Sequence, residues 1–228
     1  LGDIKPKYLN TGDTPVFNKR LGVFAANLLK KQRGLKRVIL VEGYMDVIAL
    51  TQAGLPGVCA TLGTALTVEQ ARLLKRYAPE IWVSYDGDSA GQNAILRALD
   101  IFDQEGIKSR VLDFPGGMDP DEYIREYGLA GLESLSPMDA ATYRMKQEMQ
   151  GHDLSTQEGR TNYAMACAKH LAKVKEPVEL ENHVRSLMLA TGFSREVLLA
   201  QIGRSELIER EKRPAFSHVA RPLEENTD

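Results

Sequence analysis

The chain has 228 residues, of which 43% are hydrophobic, 26% charged and 7% aromatic, with a net charge of −2. That length suits one large domain or two small ones, the composition is that of an ordinary globular protein, and no apolar run approaches the ~18 residues of a membrane-spanning helix. The opening residues LGDIKPKYLN have neither the apolar stretch of a signal peptide nor an initiator Met, and Cys59 and Cys167 sit in apolar surroundings without zinc-ligand spacing, so the expectation is an excised piece of a cytoplasmic protein with buried free thiols and no membrane contact.

Residues 1–20 are rich in turn formers, and residues 21–33 read as an amphipathic helix closed by Gly34. Strands are predicted over 37–41 (RVILV), 57–62 (GVCATL), 81–85 (IWVSY) and 108–114 (KSRVLDF). Helices are predicted between them: at 44–53, at 67–77 behind a Thr67/Gln70 capping box, and at 89–104 behind Asp88 or Ser89 as cap. A further helix begins at Pro120 (EYIREYG). Strands alternating with helices imply a parallel-rich α/β sheet with helices on both faces. Ligands of such sheets bind beyond the carboxyl ends of the strands.

After residue 135 no strand signal remains. Ser136-Pro137-x-Asp139 opens one helix, Ser155-x-x-Glu158 a second, Pro177 a third closed by Gly192, and Ser194 a fourth closed by Gly203. This pattern predicts an all-α helical bundle. The expected organisation is a basic N-terminal segment (1–35), an α/β domain (36–130), a helical bundle (136–205) and a charged linker or tail (206–228). The charge follows these divisions: residues 1–37 carry +7, residues 38–135 carry −8 and the remainder −1. A basic segment beside an acidic domain suits a protein that holds polyanions next to bound metal.

Six carboxylates fall where predicted strands end: Glu42 and Asp46 in VEGYMD, Asp86 and Asp88 in YDGDSAG, and Asp119 and Asp121 in GGMDPDEY. Each pair taken alone has a structural explanation, as a turn, a helix cap or acids in the first turn of a helix. Together at one sheet edge they repel one another unless a cation lies among them, and hard divalent cations take such oxygen ligands. Gly87 and Gly91 permit close backbone approach in the second motif. Thr61, Gly63 and Thr64 are placed to line the same cavity. The four histidines show no ligand spacing.

A Glu-Gly pair after the first strand, an Asp-x-Asp after the third and an acidic loop after the fourth resemble, in order and spacing, the Toprim domain, over about residues 36–128. VEGYMDVIAL, the LGTALT loop, YDGDSAGQNA and GMDPDEY resemble the bacterial DNA primase branch, of DnaG type, in particular. Upstream, PKYLN and Phe17-x-Lys19 resemble the basic subdomain before Toprim, and the bundle resembles the third subdomain of that catalytic core. The resemblance implies DNA-directed RNA primer synthesis on single-stranded DNA from ribonucleoside triphosphates by metal-dependent nucleotidyl transfer. It implies that Asp46, Asp86, Asp88, Asp119 and Asp121 hold Mg²⁺ or Mn²⁺, with Glu42 as ligand or general acid/base, and that Glu42, Asp46, Asp86 and Asp88 carry catalysis. Lys7, Asn10 and Lys19 match positions that handle nucleotide or primer–template, with Tyr8 beside them. Lys30, Lys31, Arg33, Lys36 and Arg37 read as a solvated basic face. A replicative helicase is the implied partner of the full-length protein, through a domain that the sequence does not show after the bundle. With no zinc module either, the fragment is expected to prime poorly alone. The alternatives are another Toprim enzyme, a topoisomerase or nuclease, and a non-catalytic interaction module that keeps the fold.

Overall fold

Period-two burial organises the first half of the chain. In the computed structural model, which describes residue 14 and residues 18–61, 63 and 65–212, β1 (Val38–Val41) is buried along its whole length. Val38 and Leu40 enter one apolar cluster, Ile39 and Val41 another. Successive strand residues point to opposite faces, so β1 needs cover on both. The strands β2 (Val58–Ala60), β3 (Glu80–Ser84) and β4 (Lys108–Val111) run parallel to it in the order β2-β1-β3-β4.

The helices α2 (Tyr44–Gln52) and α5 (Pro120–Ser134) cover one face through Val47, Leu50, Tyr123 and Ile124. The helices α3 (Val68–Lys75) and α4 (Ser89–Gln104) cover the other through Leu74, Leu99 and Phe102. The mostly parallel sheet with helices on both faces matches the expected fold. Since β1 lies between β2 and β3, the β1–β2 connection runs one way across the sheet and the β2–β3 connection runs back the other way. A crevice therefore opens at the carboxyl ends of β1 and β3.

The chain divides into two compact units, Leu1–Tyr143 and Arg144–Asp228. In the first, the short helix α1 (Ala26–Lys31) is smaller than the predicted 21–33. Phe24 engages its amide and carbonyl in a bridge to Ala60, and Ala25 takes a left-handed conformation with φ 65°. Both are incompatible with a helix running through them. The edge strand β5 (Met138–Asp139) pairs antiparallel with β4, so the sheet extends past the predicted boundary at 130, where no strand was expected. The cap there is Asp139, whose carboxylate accepts from the Thr142 amide at 2.8 Å, and α6 (Ala140–Gln150) starts after it rather than after Ser136.

The second unit is helical. α7 (Gln157–Leu171) is capped by Thr156, one residue after the predicted Ser155. α8 (Pro177–Thr191) ends at Gly192 in the left-handed conformation, as its glycine predicts. α9 (Arg195–Lys212) runs through Gly203, so neither the predicted stop nor the predicted start of a tail at 206 holds. The three helices pack on one another, burying Cys167, Leu171, Val184, Leu187 and Leu198. Among the described residues no helix is long and apolar enough to cross a membrane. Cys59 and Cys167 are both free and buried.

Candidate metal centre

The strand register sets the site. Val41 pairs with Ser84 across β1 and β3, so Glu42 and Asp86 leave the sheet from adjacent strands, one and two residues beyond that pair. A backbone hydrogen bond from Asp86 reaches the Glu42 carboxylate. Asp46 follows in the first turn of α2, buried, with Oδ2 accepting from the Gly43 amide at 3.2 Å. Asp88 caps α4, accepting from Gly91 N at 2.8 Å, which decides between it and Ser89. Asp119 caps α5, accepting from Glu122 N at 2.7 Å.

Capping and clustering hold at once. Each cap uses one oxygen of a carboxylate that has two, and both caps sit on the electrostatically crowded edge. Burial, reinforced by Asp86, Asp88 and Asp46, raises the Glu42 carboxyl to about 7. Burial, with Asp86 and Asp119 adding to it and the Gly43 amide opposing it, raises Asp46 to about 6. Five of the six predicted carboxylates thus act on one another. The sixth, Asp121, ion-pairs with Arg125 one helical turn on. The Asp121-x-x-x-Arg125 spacing carried that signal, since residues i and i+4 face each other on a helix.

Two glycines hold the loops together. A Cβ on Gly91 would lie 2.1 Å from the Asp86 carbonyl oxygen, and one on Gly87 would lie 2.9 Å from Gly117 Cα. The loop after β3 therefore seats against both the start of α4 and the 3₁₀ turn Pro115–Gly117 that leads to Asp119. Thr61 is buried at the end of β2 and Gly63 follows it, while Thr64 lies outside the described residues.

Lys7, Tyr8 and Asn10 also lie outside the described residues. The backbone of Lys19 is tied down: buried Gln70 donates to the carbonyls of Lys19 and Gly22, each at 2.8 Å, and Thr67 Oγ donates to Arg20 at 2.7 Å. Since α3 begins at the carboxyl edge, this fixes residues 19–22 on the same edge as the acids. Lys30, Lys31, Arg33 and Lys36 are exposed, whereas Arg37 lies over the Trp82 ring at 4.3 Å.

The donor set is uniformly carboxylate oxygen, which fits a hard divalent cation. The raised proton affinity of Glu42 and Asp46 is the response of acids crowded by burial and by one another, and a cation relieves the same crowding.

The family described as Toprim-like matches residues 39–124, which contain the first five acids and Asp121 as well. The DNA primase of Clostridium acetobutylicum is 36% identical over 200 residues, covering 87% of this chain and 33% of that protein. A crystal structure of a DNA primase domain from Pseudomonas aeruginosa is 37% identical with a TM-score of 0.70, covering 91% of this chain and 65% of that one. The chain belongs to the bacterial DnaG-type primase family. This membership sets aside the topoisomerase and nuclease alternatives.

The chain spans about a third of the length of the curated primases it matches. A DnaG primase catalytic domain solved bound to single-stranded DNA is 29% identical with a TM-score of 0.68, covering 86% of this chain and 64% of that one. The family described as the DnaB-helicase binding domain of primase matches residues 141–196. The sequence pattern predicts no helicase-binding domain after the bundle; this primase-family match falls on the bundle itself.

Proposed function

We propose that the chain is the metal-dependent nucleotidyl-transfer core of a primase, which joins ribonucleotides into RNA primers on a single-stranded DNA template. The observation that carries the reading is the convergence of Glu42, Asp46, Asp86, Asp88 and Asp119 from three loops onto one sheet edge, with Glu42 raised to about 7. Asp46, Asp86, Asp88 and Asp119 would hold Mg²⁺ or Mn²⁺, joined by Asp121 if it leaves Arg125. A divalent cation held there would polarise the α-phosphate and neutralise charge on the departing pyrophosphate.

Glu42 sits near neutrality, poised to accept the proton of a primer 3′-hydroxyl or to join the ligand set. Lys19, on the same edge, would engage phosphate, as would Lys7, with Tyr8 and Asn10 beside it. Single-stranded DNA as template is supported by the solved relative bound to it, and ribonucleoside triphosphates and an RNA primer follow from the nucleotidyl-transfer reading. A replicative helicase as partner is supported by the match at 141–196. Free buried cysteines suit the reducing cytoplasm.

The test is Mg²⁺-dependent extension of a preformed RNA primer annealed to a DNA template. Asp88→Asn is expected to slow ribonucleotide addition by about a hundredfold or more. Absence of Mg²⁺-dependent extension by wild type would leave the non-catalytic module as the better account, and equal measurable rates for wild type and Asp88→Asn would take Asp88 out of the machinery.

A further inference from the structure

The acid edge continues into an aromatic surface that no step above uses. Tyr44 stands between Glu42 and Asp46 in the chain, at the first position of α2. Its ring meets that of Phe24 with centroids 6.2 Å apart and planes inclined at 59°. Phe24 is not a stray surface residue. Its amide donates to the Ala60 carbonyl at 2.8 Å and its carbonyl accepts from the Ala60 amide at 3.4 Å. That bridge fastens it to the last residue of β2, at the carboxyl edge where the acids gather. The next residue, Ala25, takes the left-handed conformation that turns the chain from this bridge into α1.

The surface so built is partly open, with Tyr44 half-buried. Phe24 is 38% exposed, and α2 also exposes Ile48, which shares a helical face with Tyr44. Its setting favours one kind of occupant. On one side lie carboxylates that suit a metal-bound phosphate. On the other runs the segment that carries Lys19 and Arg20, held to α3 by Gln70 and Thr67. A phosphate chain with an aromatic base attached matches both chemistries, because every base presents a π-face that stacks on an aromatic ring whatever its sequence. An apolar protein segment would match only the rings.

We propose that Phe24 and Tyr44 form a stacking platform for a nucleobase whose phosphates lie over the acid edge. The proposal rests on the metal–phosphate reading of that edge and extends it from phosphate to base. The base belongs either to a nucleoside triphosphate or to a nucleic-acid strand, and the two sources are separable.

Equilibrium binding in Mg²⁺ to the full chain tests it, for wild type, Phe24→Leu, Tyr44→Leu and Tyr44→Phe. The probes are ATP against inorganic tripolyphosphate, and oligothymidylate against an abasic strand of equal length, with far-UV circular dichroism to establish that each variant is folded. Loss of one stacked base corresponds to roughly a fivefold to hundredfold weakening. The expected result is that loss in Phe24→Leu and Tyr44→Leu, retention in Tyr44→Phe, and no change for the base-free probes. A loss confined to ATP assigns the platform to the nucleotide, and a loss confined to oligothymidylate assigns it to the strand. No loss with either base-containing probe, or an equal loss with the base-free ones, overturns the proposal. Wild-type protein that fails to bind tripolyphosphate in Mg²⁺ counts against the metal–phosphate reading, while the oligothymidylate arm still decides the platform.

Discussion

The two units of the molecule handle charge in opposite ways. In the helical unit, charged groups meet partners of complementary chemistry nearby: Glu181 takes Arg195 at 2.8 Å, and Glu148 takes His170 at 2.8 Å with His152 at 3.7 Å. In the sheet unit, the crowded edge sets carboxylate against carboxylate, and two of them respond by binding protons more tightly. A fold under no other demand would disperse those acids or pair them, as the bundle does. The contrast sets the proposed site apart: Glu181 and Glu148 have partners within the bundle, and the sheet edge keeps an unrelieved charge that a cation would complete.

The contrast can be broken in several places. The largest effect is expected in the bundle. Leu187→Ala removes a fully buried side chain of α8 and should cost about 2–5 kcal/mol in denaturant unfolding of that unit, leaving Mn²⁺ affinity unchanged. A matching drop in Mn²⁺ affinity would show that the division between the units is wrong. Gly91→Ala comes next. Its Cβ would press on the Asp86 carbonyl, so roughly 1–3 kcal/mol of stability should be lost together with Mn²⁺ affinity. Full affinity in that variant would mean that the seat of Asp86 is not what shapes the site.

The acid pair gives a pH signature. Folding raises Glu42 from 4.5 to about 7 and Asp46 from 3.8 to about 6. The folded state therefore holds protons that the unfolded chain releases, and stability falls as pH rises through that interval. In chelator, thermal unfolding should show a decline between about pH 4 and pH 7 from these two groups. Mg²⁺ binds the ionised form, so its stabilising effect should grow over the same window. A Mg²⁺ effect that is flat with pH would detach these groups from the metal. The smallest effect is expected at Arg125. If Asp121 joins the ligand set it must leave its partner, so Arg125→Ala should tighten Mn²⁺ binding by about twofold. No change would put Asp121 outside the site.

Much of the sheet was legible because β1 to β4 are short apolar runs set between helices with clear caps, such as Thr67 and Gln70. The site was legible for a related reason: the parallel-sheet rule gathers Glu42, Asp86 and Asp119 whatever their distance in sequence. Other features depended on tertiary contacts that leave no local trace. β5 has two residues and exists because Met138 and Asp139 pair with Val111 and Arg110. α9 passes through Gly203 because buried Ile202 and Ser205 anchor it on either side, against a helix penalty of only about 1 kcal/mol for glycine. α1 is shortened by the Phe24–Ala60 bridge, a contact between residues far apart in the chain. Asp121 carries two competing patterns: the acidic motif points it to the cluster, and the i,i+4 spacing pairs it with Arg125.

We propose the sheet edge as a divalent metal site built from acids on separate loops. A Mn²⁺ titration followed by electron paramagnetic resonance, on wild type, Asp86→Asn and Glu42→Gln, tests it most directly. Saturable binding is expected in wild type and a weakening of about tenfold to a hundredfold in Asp86→Asn, with a smaller loss in Glu42→Gln and unchanged far-UV circular dichroism in both. Equal Mn²⁺ affinity in all three proteins would contradict it.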